Sequence, residues 1–458
     1  MEKTSIKLGC IILIGAILRL FQLGEESIFI DEGITVELTR LSFTDMIVNR
    51  ASNFHAPLYF IFMHLWVTVF GVSEVSIRLP SVIFGVASIY AIFLLANKMF
   101  KDENIALLSA FLMAISYYQI RYSQDARMYS LFTLLAIMSM YYFIDVHENP
   151  LMLSKGYLIS TGLLLYTHIY AMLLVLFQGI FLFVCIRNFR VWFKFPLALI
   201  TIYFPWLLVA IRQFMVVKGG GHWLTRPSLL ELLHTFKVLV GDSWILLFLY
   251  AFLVISGFGR GKTNSNLLMG WFITLTIIPF IFSWLVTPIY RARYTIGSIP
   301  PLLILVALGI RERAFDQRIP YFPVIIGCIL IFSSWSLYDF YTTPHKEQWR
   351  EVASYIEQNE RPDDVIIITS GGVYICLDYY YRGELVRHRF PEEIEKVIEK
   401  EHIPVLQNLT NQSQRVWVVL SHEEPHAQQK IEDGLKDHFE MSEHQKFLYI
   451  DVILFNRT

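Results

Sequence analysis

The 458-residue chain is 55% hydrophobic and only 17% charged, and its mean hydropathy is positive. Soluble proteins carry about 25% charged residues, so a wholly water-soluble chain is excluded. From position 341 to the end there are 13 Lys/Arg against 21 Asp/Glu, a net of −8, while the first 340 residues hold 25 against 18, a net of +7. The near-zero total conceals a basic apolar part and an acidic tail. Neither gathers the dense basic face of a nucleic-acid binder.

A helix needs about 20 apolar residues to cross a bilayer. In chain order the predicted spans are 6–23, 80–99, 104–120, 129–145, 155–167, 169–186, 195–214, 243–259, 265–286, 297–311 and 320–338. The first run is too long for a secretory signal core and lacks a cleavage site, so it reads as a span with the N-terminus in the cytoplasm. The stretch 57–71 (PLYFIFMHLWVTVFG) is apolar but short, and charge decides its reading. If it does not cross, Lys98/Lys101, Lys155, Arg187/Arg190/Lys194, Arg260/Lys262 and Arg311/Arg313/Arg318 all lie in cytoplasmic loops, as the positive-inside rule requires. The expected fold is therefore a polytopic α-helical membrane protein of about 11 transmembrane helices, spanning 1–340 and embedded among membrane lipids of the cell or plasma membrane.

Residues 341–458 read as an extracytoplasmic soluble α/β domain. A helix is expected at 349–358, a turn at RPDD (361–364) and a strand at 365–369. Then come a helix at 391–401, a strand at 415–421, a helix at 424–439 and a closing strand near 447–455. Of the four cysteines (Cys10, Cys185, Cys328 and Cys376) only the last is outside an apolar run, which gives no disulfide framework.

The parse puts 24–79, 121–128, a turn near His168, 215–242 and 287–296 on the non-cytoplasmic side. There the unusual polar residues collect: Asp31-Glu32-Gly33 before a helical stretch, His55-Ala56-Pro57-Leu58-Tyr59, Arg121 to Tyr129 (RYSQDARMY), Tyr166 to Tyr170 (YTHIY), and Arg291-Ala292-Arg293-Tyr294. Each has an ordinary reading too. Asp31 can cap a helix, Asp125 can pair with Arg121 or Arg127, and the tyrosines suit an interfacial belt. Arginines are under-represented in such loops, so Arg291 and Arg293 call for an anionic partner such as a lipid phosphate.

These motifs, in this order, resemble the GT-C superfamily of membrane glycosyltransferases, nearest the group of protein O-mannosyltransferases and lipid A aminoarabinose transferases. The resemblance implies transfer of a sugar from a polyprenyl-phosphate donor to the hydroxyl of an acceptor protein, lipid or glycan. It implies Asp31 as catalytic base of an inverting reaction and Asp125 as the second acidic residue. It places Arg293, Tyr294, Arg291 and His55 at the donor phosphate, and Glu32, Tyr59, Arg127, Tyr129, His168 and Tyr170 around the substrates. A divalent ion is a candidate cofactor, with Asp125, His168 and His222 as candidate ligands. Two departures bear on this: Ala56 replaces the first proline of the family's H-P-P-L-Y pattern, and Phe54 stands where the aminoarabinose transferases carry a metal-contacting Glu.

A transporter or flippase of lipid-linked sugars is the alternative. Such proteins carry ionisable groups near the bilayer midplane and often repeated halves. Here the charges cluster at one surface and no internal repeat is found. A membrane anchor presenting the acidic domain would leave the polar loops without a role.

Overall fold

The computed structural model describes residues 2–53, 55–150, 154–186, 189–219, 224–258, 262–314, 321–369, 373–391, 398–399, 402–421 and 426–458. These divide into two units. The first comprises Met1–Leu23 and Leu41–Thr342, and the second joins Gly24–Arg40 to Thr343–Thr458.

The first unit is helical. Each expected span contains a helix, but length separates them. Among the described residues six helices are long and apolar enough to cross a membrane: Glu74–Phe100, Tyr129–Glu148, Phe193–Lys218, Thr263–Leu285, Ala292–Arg313 and Tyr321–Thr342. A seventh arises if Leu229–Leu239 and Trp244–Gly257, which meet at 81°, count as one broken span. The Lys155–Leu165, Glu103–Ile115 and Ala171–Cys185 helices have 11, 13 and 15 residues. At 1.5 Å per residue they reach about 16 to 22 Å, short of the ~30 Å hydrocarbon core. Expected span 104–120 is interrupted because Ser116 is extended, and the chain restarts as Tyr117–Ser123. The 57–71 stretch is a 13-residue helix, Leu58–Phe70. Glu2–Leu20 contains Arg19, which is fully buried and donates to the carbonyls of Gly15, Met113 and Ala114 at 3.0 Å. Its charge is thus met by backbone dipoles inside the bundle.

A close approach of two helices sets the position of Asp125. A Cβ on Gly85 would lie 2.2 Å from Ser123 Oγ, so only glycine lets the Tyr117–Ser123 helix lie against Glu74–Phe100 and fix the loop beyond it.

The second unit is built on a five-stranded sheet: β1 (Val365–Thr369), β2 (Val386–Phe390), β3 (Arg415–Ser421), β4 (Phe439–Phe447) and β5 (Ile450–Arg457), in the order β2-β1-β3-β5-β4. β1 runs parallel to β2 and β3, and β5 is antiparallel to β3 and β4. Helices Trp349–Asn359, Tyr374–Tyr380, Ile403–Thr410 and Ala427–Leu435 accompany it. Ile367, Val416, Val418, Leu406, Ile431 and Ile453 belong to its core. The expected closing strand at 447–455 is two strands, because Phe447 pairs with Ile450 across a two-residue turn at Leu448-Tyr449. The expected helix 424–439 is shorter, its last residue beginning β4. The expected helix 391–401 lies almost wholly outside the described residues.

The RPDD turn folds as expected and ends in a buried polar knot. The Asp364 carboxylate accepts from the Arg361 N–H at 2.9 Å and the Trp417 indole at 3.0 Å, and lies 3.1 Å from Arg415. Removing one member of a buried ion pair strands the other. Asp364→Ala is expected to destabilise this unit by about 3 kcal/mol, read as a lowered thermal midpoint that Asp364→Asn only partly restores.

Candidate active site

In the first unit the H-x-P-L-Y and YTHIY segments are tied together by the Leu58 N–H donating to the Tyr166 carbonyl at 2.9 Å. Gln213, from the Phe189–Lys218 helix, donates to the carbonyls of Arg50 at 3.0 Å, Ala51 at 3.4 Å and Asn53. The end of the Phe43–Ser52 helix is thereby held, and His55 with it. His55 Nε2 lies 3.3 Å from Arg127 Nη2. A guanidinium can only donate, so Nε2 accepts and the imidazole proton sits on Nδ1.

Arg127 is buried, and its carbonyl accepts from Ser81, whose hydroxyl also meets that of Tyr59 at 3.1 Å. The Arg127 N–H donates to the Asp125 carbonyl at 2.8 Å, which folds RYSQDARMY into a tight turn. Gln124 anchors that turn on the carbonyls of Arg19 and Phe21. The charge of Asp125 acts on Arg121 and Tyr122. Arg293 also acts on Tyr122, and on His55 and His168. Tyr122 thus feels opposite charges from Asp125 and Arg293.

His168 is buried among aromatic rings, with centroids 5.2 Å from Tyr294, 5.5 Å from Tyr170, 6.2 Å from Tyr129 and 4.8 Å from Phe132. The Tyr170 N–H donates to its Nδ1 at 3.2 Å, so neutral His168 carries its proton on Nε2 and can donate from there. Tyr170 gives its own hydroxyl to the Ile289 carbonyl at 2.9 Å.

Arg50 is a residue that the motifs do not point to. It is 3% exposed, and its Cζ lies 4.7 Å from the Phe60 ring, which Arg127 also approaches at 5.8 Å. Its Nη2 reaches Asn49 at 2.6 Å, while its Nε and Nη1 are buried with no hydrogen-bond partner among the described residues. Burial, and then the charge of Arg127, pull its pKa down. Buried guanidinium nitrogens without acceptors are costly unless an anion arrives.

Burial and then Arg127 and Arg293 push the His168 pKa down to about 3. His55 is also lowered well below its ordinary value, by burial and then Arg127, Arg50, His168 and Arg293. Both imidazoles are neutral in the folded protein. An unfolded chain takes up these protons near pH 6.5, so it binds more protons than the native state below that pH, for His168 down to about pH 3. Stability is therefore present above pH 6.5 and lost as the pH falls, by about 1.4 kcal/mol per pH unit per histidine. A His168→Asn variant is expected to show a flatter thermal midpoint between about pH 6.5 and 4.5.

The other expected residues have neighbours within their own units. Arg291 lies 4.0 Å from Glu231, so it faces a carboxylate, while Arg293, two residues on, lies 5.7 Å from the Tyr294 ring and its charge acts on the histidines. Asp31 and Glu32 belong to the second unit, in the first turn of the Ile30–Arg40 helix. Among the described residues no three His, Cys, Asp or Glu side chains are placed to hold a metal ion. Of the candidate ligands Asp125, His168 and His222, the last lies outside the described residues, as does Phe54.

Residues 54–215 match the family of dolichyl-phosphate-mannose-protein mannosyltransferases, a stretch that contains His55, Tyr59, Asp125, Arg127, Tyr129, His168 and Tyr170. ArnT from Cupriavidus metallidurans bound to undecaprenyl phosphate superposes with a TM-score of 0.60 at 12% identity, covering 97% of each chain. The fold is that of the GT-C glycosyltransferases. The GT-C fold extends to AglB from Archaeoglobus fulgidus, an oligosaccharyltransferase in complex with an inhibitory peptide and a dolichol-phosphate (TM-score 0.57, 11% identity, 91% of this chain and 69% of that one). It also extends to the arabinofuranosyltransferase AftD from Mycobacteria (TM-score 0.51, 9% identity, 100% and 40%). No curated protein sequence matches the chain.

Proposed function

We propose that the protein is an integral-membrane glycosyltransferase that moves a sugar from a polyprenyl-phosphate donor to an acceptor hydroxyl on the non-cytoplasmic face. The observation that carries this reading is the cationic cluster of buried Arg50 and Arg127 and partly buried Arg293 around His55 and His168. Phosphate gains charge as it leaves, and preorganised donors in a water-poor site are the main means of stabilising such charge. ArnT and AglB, of the same fold, are bound to undecaprenyl phosphate and to a dolichol-phosphate. An apolar cavity of about 470 Å³, lined by Leu165, Met172, Leu176, Phe183, Leu199 and Tyr203, draws on the two helices bordering the His168 loop and on the Phe189–Lys218 helix and suits an isoprenoid chain.

In the proposed reaction the acceptor oxygen forms a bond to the anomeric carbon as the bond from that carbon to the phosphate oxygen breaks. The acceptor proton passes to the Asp31 carboxylate, and the lipid phosphate departs with the bonding electrons among the arginines, so the anomeric centre inverts. The test is to supply the full-length protein, in lipid nanodiscs, with radiolabelled polyprenyl-phosphate mannose, arabinose and aminoarabinose over a membrane extract. Label passing from lipid to acceptor supports the reading. In sealed vesicles, label that crosses the bilayer while staying on its lipid would make the protein a flippase instead.

A further inference from the structure

Within the second unit, the Ile30–Arg40 helix, which carries Asp31 in its first turn, is held at its start by residues from the C-terminal part of the chain. Glu347, 4% exposed, accepts through Oε2 from the Ile30 N–H at 3.3 Å and from the Trp349 indole at 2.6 Å. Lys346 lies 3.4 Å from both carboxylate oxygens of Glu32, with side chains 8% and 0% exposed. The ammonium also sits 5.1 Å from the Phe29 ring. Ahead of the helix, the Ile28 N–H donates to the Tyr380 hydroxyl at 2.8 Å, and the Arg350 N–H to the Ser27 hydroxyl at 3.1 Å. The Arg350 guanidinium reaches the Glu25 and Gly24 carbonyls at 2.9 and 3.1 Å. Glu26 accepts the His345 and Lys346 N–H groups at 2.8 and 3.2 Å and pairs with the His345 ring at 3.0 Å. On the other side of the first turn, a Cβ at Gly33 would lie 2.9 Å from Cys376 Sγ, so the helix is pressed against the Tyr374–Tyr380 helix.

Two of these contacts go beyond ordinary packing. Backbone N–H groups at the start of a helix have no partner within it, and here the group just before Asp31 is satisfied by a carboxylate from residue 347 rather than by a local cap. Asp31 and Glu32 are adjacent carboxylates, and Glu32 is buried. A buried carboxylate without a counter-charge is strongly unfavourable, so Lys346 lets Glu32 stay in place beside Asp31.

We propose that the C-terminal unit is the positioning frame of the Asp31 helix, with Glu347 fixing the backbone at Ile30 and Lys346 fixing the Glu32 carboxylate, so that the base is held in place by residues 317 and 314 positions away from those they grip. The proposal rests on the reading of Asp31 as the base, but its geometry can be tested apart from it.

The experiment uses the full-length protein in nanodiscs with Lys346→Met, Lys346→Arg, Glu347→Ala and Glu347→Gln. Hydrogen exchange is expected to accelerate about tenfold or more at the amides of residues 28–34 in Lys346→Met and Glu347→Ala, while β1, β3 and β5 exchange as in the unaltered protein. Lys346→Arg is expected to restore protection. With polyprenyl-phosphate mannose as donor, or whichever labelled donor the unaltered protein uses, kcat is expected to fall about thirtyfold in the same two variants with the donor KM unchanged. A merely structural loss would lower the active fraction without the local exchange change. If Glu347→Ala loosens the sheet, Glu347→Gln, which keeps an acceptor oxygen and the side-chain volume, is the variant that decides. Unchanged exchange at 28–34, or a rise shared equally by the sheet, overturns the frame. If the unaltered protein transfers no sugar at all, the glycosyltransferase reading fails, and the exchange data still decide the frame on their own.

Discussion

Replacing Asp31 by Asn is expected to lower sugar transfer about a thousandfold, within the usual range for loss of a general base, while donor binding is unchanged. The substitution keeps size and shape and removes only basicity. Asp31 sits in the first turn of the Ile30–Arg40 helix, where loss of the negative charge costs only about 0.3–1 kcal/mol, so the fold should register little of the change. The loss should fall on kcat, because a base acts on the proton that moves in the transition state and contributes little to holding the lipid phosphate. Asp31→Glu, which keeps the carboxylate but moves it by one methylene, should retain more activity than Asp31→Asn and less than the unaltered protein. The assay is initial-rate transfer from labelled polyprenyl-phosphate sugar at saturating acceptor, alongside binding of the unglycosylated lipid phosphate. Equal rates for the unaltered protein and Asp31→Asn would remove Asp31 from the reaction, and a matched loss of lipid-phosphate binding would make it a binding residue.

Much of the architecture is legible in the sequence because it rests on local signals. β1 and β3, as VIIIT and RVWVVLS, are runs of apolar or β-branched residues that are almost wholly buried, and their composition alone marks them. β2 and β4 are the two edges of the sheet, where charged side chains are tolerated and even useful. VRHRF and FEMSEHQKF consequently carry no strand signature. The short membrane helices illustrate the limit of a hydropathy window. The stretch 155–167 is apolar enough to count, but its helix stops at Leu165, and hydropathy says nothing of where a helix stops.

The site is less legible because it is assembled over long sequence separations. His55, Asp125, His168 and Arg293 stand in motifs and can be picked out singly. Arg50 stands in none of the motifs, and the structure puts it in the last turn of the Phe43–Ser52 helix, a favourable place for a cation. Its burial depends on Gln213, 163 residues later, gripping the end of that helix. Lys346 and Glu347 precede the expected helix at 349–358 without any motif of their own, and only the folded second unit shows them holding the segment that contains Asp31.

Arg50 also carries the sharpest test of the phosphate site, because its removal should have opposite effects on stability and on function. In the protein without donor it is a buried cation beside Arg127, with two nitrogens unbonded among the described residues. Such an arrangement stores unfavourable electrostatic energy, as functional sites often do at the expense of stability. Arg50→Leu keeps an apolar group against the Phe60 ring and deletes the charge, so the donor-free protein is expected to melt several degrees higher. The same variant should bind polyprenyl phosphate about a hundredfold less tightly, since a buried charge-assisted donor to phosphate is lost. The stabilisation that polyprenyl phosphate gives by binding the native state should shrink accordingly, so the melting curves of variant and parent cross as the lipid is titrated in. Arg293→Gln serves as the comparison. Arg293 is only partly buried, and its loss should weaken transfer more than it changes the melting of the donor-free protein. A lower melting temperature for Arg50→Leu with undiminished phosphate binding would make Arg50 a structural residue and leave the anion to Arg127, Arg293 and the two histidines.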